Sequence, residues 1–191
     1  KDSSGKYLHH KLITVLLNDL FGIQSRAGCS CAGPYGHRLL NIDEATSERY
    51  RSAVQHGHCG LKPGWCRVGL HWVMDDAEAN YVIDAVHFLA NKGGLFLSLY
   101  DFDLASGTWK HKFATSELPS FSLDEALGNE EGEPAILSLA LRRQLYNHYM
   151  TEAKRIAERL QVEPQAECCS LEGEFEDLQF FTLPADERHR H

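Results

Sequence analysis

A chain of 191 residues, 43% of them hydrophobic, has apolar material for one domain with an added subdomain. Its purely apolar runs fall short of the roughly 18 residues that a membrane-spanning helix needs, and no basic-then-apolar leader opens it, so neither membrane insertion nor export is expected. The net charge is -8, and the carboxylates crowd between Glu163 and Glu187 with only Arg188 and Arg190 beyond them, which argues against nucleic acid as a partner.

In chain order, "HHKLITVLLNDL" (9–20) repeats Leu12, Leu16 and Leu20 at i+4, with Ile13 and Leu17 widening the stripe, and predicts a helix that stops at Gly22. "IQSRAGC" (23–29) reads as a short strand or extended entry into a loop of small residues that carries Cys29 and Cys31, and "GPYG" (33–36) reads as a turn. "NIDEATSERYRSAVQHG" (41–57) reads as a helix with one exposed polar side, broken by Gly60, Pro63 and Gly64. "WCRVGLHWVM" (65–74) alternates like a strand, with Cys66, Val68, Leu70 and Trp72 on one face and Arg67, Gly69, His71 and Val73 on the other.

"DDAEANYVIDAVHFLANKGG" (75–94) starts with Asp75 three residues before Glu78, a capping-box-like signal, carries Val82, Val86 and Leu89, and ends at Gly93 and Gly94. "LFLSLYDFDLASGTWKHKF" (95–113) predicts a hairpin around "ASG". An acidic, turn-rich linker (115–134) precedes one long helix or two short ones (135–162) bearing Ile136, Leu139, Leu145, Tyr149 and Ile156. The tail (163–191) has no sustained period and is expected to be loosely ordered. No internal repeat is seen. The expected fold class is α/β, of α+β type: a short, mainly antiparallel sheet packed with helices within residues 1–114, plus a C-terminal helical extension.

Six cysteines, at 29, 31, 59, 66, 168 and 169, read as mostly free thiols of a reducing, cytoplasmic compartment, since a chain of this size needs no disulfide staples. Cys29, Cys31 and His37 with His56, His58 and Cys59 offer zinc ligands, but C-x-C spacing is poor for a closed zinc site. A thiol on a small-residue loop near Arg26 is suited to reactivity, because nearby cations favour the thiolate; packing of a tight turn is the other reading. Arg67 has the planar fork that clamps a carboxylate, or is a surface residue. His71, His87 and His148 lie inside elements and read as packed or solvated, Cys168 and Cys169 have no partner pattern, and the acidic tail reads as a solvated extension.

"RAGCSCAGPYGHRLL" followed by "KPGWCRVGLHWVMDDAEANYVIDAVHF" resembles the small C-terminal domain of class V aminotransferase-fold enzymes, the cysteine desulfurase and selenocysteine lyase group, over about His9 to Leu89. The family loop R-x-G-x-x-C-A is filled by Arg26, Gly28, Cys31 and Ala32, and the second motif C-R-x-[SG]-L by Cys66, Arg67, Gly69 and Leu70. The resemblance implies the small domain of a fold type I enzyme that is dependent on pyridoxal phosphate. Cys31 is then the catalytic thiol that attacks the sulfur of a cofactor-bound substrate to form a persulfide, and Arg67 grips the carboxylate of an amino-acid substrate.

It implies a homodimer in the full-length enzyme, and a large domain that supplies the Schiff-base lysine and most cofactor contacts. The chain alone is then expected to be inactive and not to bind the cofactor. The start "KDSSGKYLHH", without an initiator Met, fits a fragment. The second thiol at Cys29, "GPYGHRLL" after the loop and the long insertion before Arg67 depart from the family pattern. Desulfurase, selenocysteine lyase and transaminase chemistry stay open. So does a non-catalytic, stand-alone interaction or binding module with the same fold, or, further off, a zinc-binding domain.

Overall fold

The computed structural model describes residues 5–29, 33–114, 137–162, 170–171 and 173–184. The linker 115–134, Cys31, Cys168 and Cys169 lie outside the described residues. The fold is mixed: five α-helices and two small antiparallel sheets among the described residues. Helix α1 (His10–Phe21) lies at its centre, with Leu12, Leu16, Leu17 and Phe21 buried on one broad stripe. Gly22 ends it at φ 65, and its N–H bonds the free carbonyls of Asn18 and Leu17.

Strand β1 (Arg26–Gly28) leaves α1 and pairs antiparallel with β2 (Trp65–Arg67), both packed on α1. Between them lie α2 (Gly33–Leu40) and α3 (Glu44–Gln55). The "GPYG" expected as a turn opens α2 instead, because Pro34 falls in the first helical turn, where a missing N–H costs nothing. Asp43 caps α3 by accepting the Thr46 N–H at 2.7 Å.

The strand expected over 65–74 stops at Arg67. The alternating pattern continues, but β1 offers only three paired positions, and a strand without a neighbour has nowhere to place its backbone bonds. The chain turns there, with Met74 N–H on His71 O at 3.0 Å, and leaves Leu70 59% and Trp72 87% exposed.

Helix α4 (Asp76–Lys92) is capped by Asp75, which accepts the Glu78 N–H at 2.9 Å. Its buried stripe is Tyr81, Val82, Ala85, Phe88 and Leu89, and Val86, expected inside, is 43% exposed. The two aromatic rings win the inner face because they remove more apolar surface from water than a valine does. A 3-10 segment (Gly93–Leu99) continues α4, and the run Asp76–Leu99, with a mean hydropathy of 1.2, meets the length and composition of a membrane span. In this fold its inner side chains, Phe88, Leu89, Phe96 and Leu97 among them, belong to the core.

The expected hairpin forms as β3 (Tyr100–Asp103) and β4 (Thr108–His111), pairing Tyr100 with His111 and Phe102 with Trp109. Helix α5 (Leu139–Val162) is one long helix, and it docks against α1 and α4. Ala153, Ala157 and Leu160 are buried, Tyr146 stacks on Tyr81 with centroids 4.1 Å apart, and Arg142 reaches Asp75 at 2.5 Å. The tail departs from its expected looseness over 173–184. Leu178, Phe181, Thr182 and Leu183 are buried, and Tyr7 donates its N–H to Phe180 O at 2.9 Å and accepts the Thr182 N–H at 3.0 Å, a parallel bridge between Tyr7 and Phe181. An apolar run of that length is too short to show a period in the sequence.

Candidate functional site

The two motifs that the sequence analysis singled out are the two strands of one ribbon. Its register sets Arg26 opposite Arg67, Ala27 opposite Cys66 and Gly28 opposite Trp65. Opposed residues of an antiparallel pair share a face, so Arg26 and Arg67 project together. Both are exposed, and neither has an ion-pair partner among the described residues.

Cys66 belongs to the other face. Its Sγ lies 3.4 Å from Ser25 Oγ and receives the Thr14 hydroxyl from α1 at 3.6 Å, so it is a packing thiol. The three described cysteines, 29, 59 and 66, are free.

Gly28 makes the exit from the ribbon. Its φ of 120 lies where side chains are not tolerated, and it turns the chain from β1 into the cysteine loop. Gly64 on the opposing strand's approach is equally constrained, since a Cβ there would meet Gly28 C at 2.8 Å and Gly28 Cα at 2.9 Å. The candidate thiol Cys31 lies outside the described residues, but the loop's two ends are placed: Cys29 directly after Gly28, and Gly33 at the start of α2. The ribbon therefore brings the arginine motif beside the strand from which the loop departs.

Cys29 and Trp65 border a half-open cavity of about 330 Å³ formed with α2 and α3. Its described lining holds His37, Arg51 and Lys62 but no carboxylate. His37 Nε2 is 3.4 Å from Ser47 Oγ. No group of three or more His, Cys, Asp or Glu side chains able to hold a metal occurs among the described residues. Cys59 is exposed rather than gathered with Cys29.

Two residues that the sequence analysis passed over stand behind the ribbon. His9 is fully buried; Trp109 Nε1 and Lys11 N donate to its Nδ1 at 3.0 and 3.2 Å, which leaves Nε2 to carry the proton toward Gly60 O at 3.1 Å. Burial, reinforced by His10 and Lys11, lowers its pKa to about 3. His10 stacks on it with centroids 4.4 Å apart, its Nδ1 is buried with no hydrogen-bond partner among the described residues, and burial with Lys11 lowers its pKa to about 4. Both are neutral scaffold groups. Helical spacing was the available signal, because His9 lies on the face that Leu12, Ile13 and Leu16 continue.

Pyridoxal phosphate, which the resemblance implies, does not fit the cavity beside Cys29. Lys11 Nζ is held on Ser106 O at 3.1 Å and Lys92 Nζ on Gln161 Oε1 at 3.2 Å. Lys62 borders the cavity beside Cys29, where no carboxylate among the described lining residues meets a pyridine nitrogen. Comparison with protein-family models, with curated proteins and with solved structures returned no match.

Proposed function

We propose that this chain is the C-terminal portion of a class V aminotransferase-fold, pyridoxal-phosphate-dependent enzyme of the cysteine desulfurase and selenocysteine lyase group. In this reading Arg67 grips the carboxylate of an amino-acid substrate, and the loop after Gly28 presents the Cys31 thiol. The observation that carries the reading is the ribbon register, Arg26 opposite Arg67. Like charges directly opposite repel, and a substrate carboxylate relieves that repulsion while offering a guanidinium fork the two oxygens it matches.

The cofactor is held by the rest of the enzyme and supplies the chemistry of bond cleavage when bound there. This chain's own work is to orient the carboxylate and deliver a thiol. The exposed Leu70, Trp72 and Val73 after β2 form an apolar surface suited to burial against another part of such an enzyme. The full-length enzyme is proposed to be a homodimer.

The test is kinetic. Arg67→Ala should lower kcat/KM about ten- to a hundredfold for every amino-acid substrate, since each presents the same carboxylate. Cys31→Ser should abolish persulfide formation from cysteine while substrate binding persists, and Cys29→Ser should be mild. Wild-type sulfur release in Cys31→Ser would remove Cys31 as the nucleophile and leave it a tight-turn residue. Equal loss in both serine variants would indicate a dithiol role.

A non-catalytic module with the same fold is the second reading, favoured by a core that α5 and residues 173–184 close within this chain. A lysine motif at a strand end, encoded in frame upstream of Lys1, decides for the enzyme; a start codon there decides for the module.

A further inference from the structure

We infer that the cavity beside Cys29 is a binding site for a small aromatic carboxylate. The first ground is shape. At about 330 Å³ it is at the small end of ligand cavities and accepts one or two rings. One wall is the Trp65 indole, which Tyr35 meets edge-on at 6.1 Å between centroids. A Cβ at Gly36 would meet that indole at 2.6 Å, so α2 lies against Trp65 only because residue 36 has no side chain. Pro63 and Val54 add apolar surface, and Tyr50 is fixed from behind by donating its hydroxyl to Leu178 O at 3.1 Å. The walls are thus rigid aromatic and aliphatic groups, which favour a flat apolar body.

The second ground is charge. The chain carries 27 acidic residues against 19 basic ones, yet the described lining contains Arg51 and Lys62 and no Asp or Glu. Arg51 shares its charge with exposed Glu48 at 3.4 Å, and Lys62 has no ion-pair partner among the described residues. A carboxylate on the ring completes this arrangement, and Ser47 and Gln55 are neutral groups for its remaining lone pairs. Arg67 does not line the cavity, so the site goes beyond the substrate grip proposed above. A ligand seated there lies against Cys29, and the thiol of that residue serves as the reporter.

The experiment uses the full chain with 2-naphthoate as probe and 2-naphthamide as its neutral counterpart. Calorimetry should give one 2-naphthoate per chain, with the amide at least tenfold weaker. Saturation should slow iodoacetamide alkylation of Cys29 at least fivefold, read by peptide mass spectrometry, and leave exposed Cys59 unchanged. The double variant Arg51→Gln/Lys62→Gln, confined to two exposed side chains and checked for folding by circular dichroism, should lose at least tenfold in affinity.

Arg67→Ala should keep wild-type affinity. If it weakens 2-naphthoate as much as the double variant does, the anion sits on the ribbon and the inference fails. It fails equally if the amide binds as well as the acid, if both cysteines are protected alike, or if no saturable binding occurs. The last three outcomes say nothing of whether Arg67 serves an amino-acid substrate in the enzyme, whereas the first supports it.

Discussion

At Gly64 a single hydrogen decides the geometry of the ribbon, because any Cβ would press on the Gly28 backbone at 2.8 Å rather than on a side chain that can swing away. Gly64→Ala should cost about 1–3 kcal/mol, the usual range for overpacking, and should part the strands that hold Arg26 and Arg67. Urea unfolding measures this, with Gly69→Ala as the control: nothing lies within 4 Å of a Cβ there, and its stability should be unchanged. Arg67 and Gly28 stood out in the sequence because each sits at a fixed offset in a motif. Arg26 as the direct neighbour of Arg67 did not, since strand register depends on partners 41 positions apart that no local pattern links. His9 was hidden for a different reason: a histidine on an apolar stripe joins the core only if its ring nitrogens find partners, and Gly60 and Trp109 are remote in the sequence.

The elements differ in how much of themselves they reveal. Helices α1, α3 and α4 were legible because each combines a cap or stop residue with a period of apolar positions. The strand after Pro63 was overextended because alternation records a preference for a pleated surface, not the presence of a neighbouring strand. The segment 173–184 shows no period in the sequence, although it lays Phe180 and Phe181 over the His9 and Phe102 rings. Phe181→Ala should therefore cost about 3–5 kcal/mol, the range for a buried phenylalanine. Phe113→Ala, at a ring 80% exposed, should stay within about 0.5 kcal/mol. Denaturant titration of the two variants separates a docked strap from a loose tail: equal stabilities would refute the docking.

For the molecule as a whole, the paired histidines set an acid limit. Each is held neutral, with a pKa lowered from 6.5 to about 3 for His9 and about 4 for His10, whereas the unfolded chain protonates both near the ordinary value. The stabilisation is complete above pH 6.5 and is lost as pH falls toward the folded values, because only the unfolded state takes up the protons. The loss reaches at most about 1.4 kcal/mol per pH unit for each ring. The carboxylates with lowered pKa, such as Asp75 and Asp103, lose their contribution only as pH falls below the ordinary value of 3.8, so the decline between pH 6.5 and 5 belongs to the histidines. Urea midpoints across this range should be flat above pH 7 and fall below it, and His10→Leu should make the slope shallower; an unchanged slope would contradict its part. The bridge between Tyr7 and Phe181 has a further consequence, in time rather than in space. A ribosome adding about 5–20 residues per second reaches Phe181 roughly 9–35 s after Tyr7. For roughly the last 4–16 s of that interval, from Phe102 to Phe181, the ribbon's own residues have been made, while the His9 and Phe102 rings still lack the Phe181 that covers them. A nascent chain in that window exposes aromatic surface of the kind that chaperones hold, and synthesis of Phe181 is what allows it to be covered.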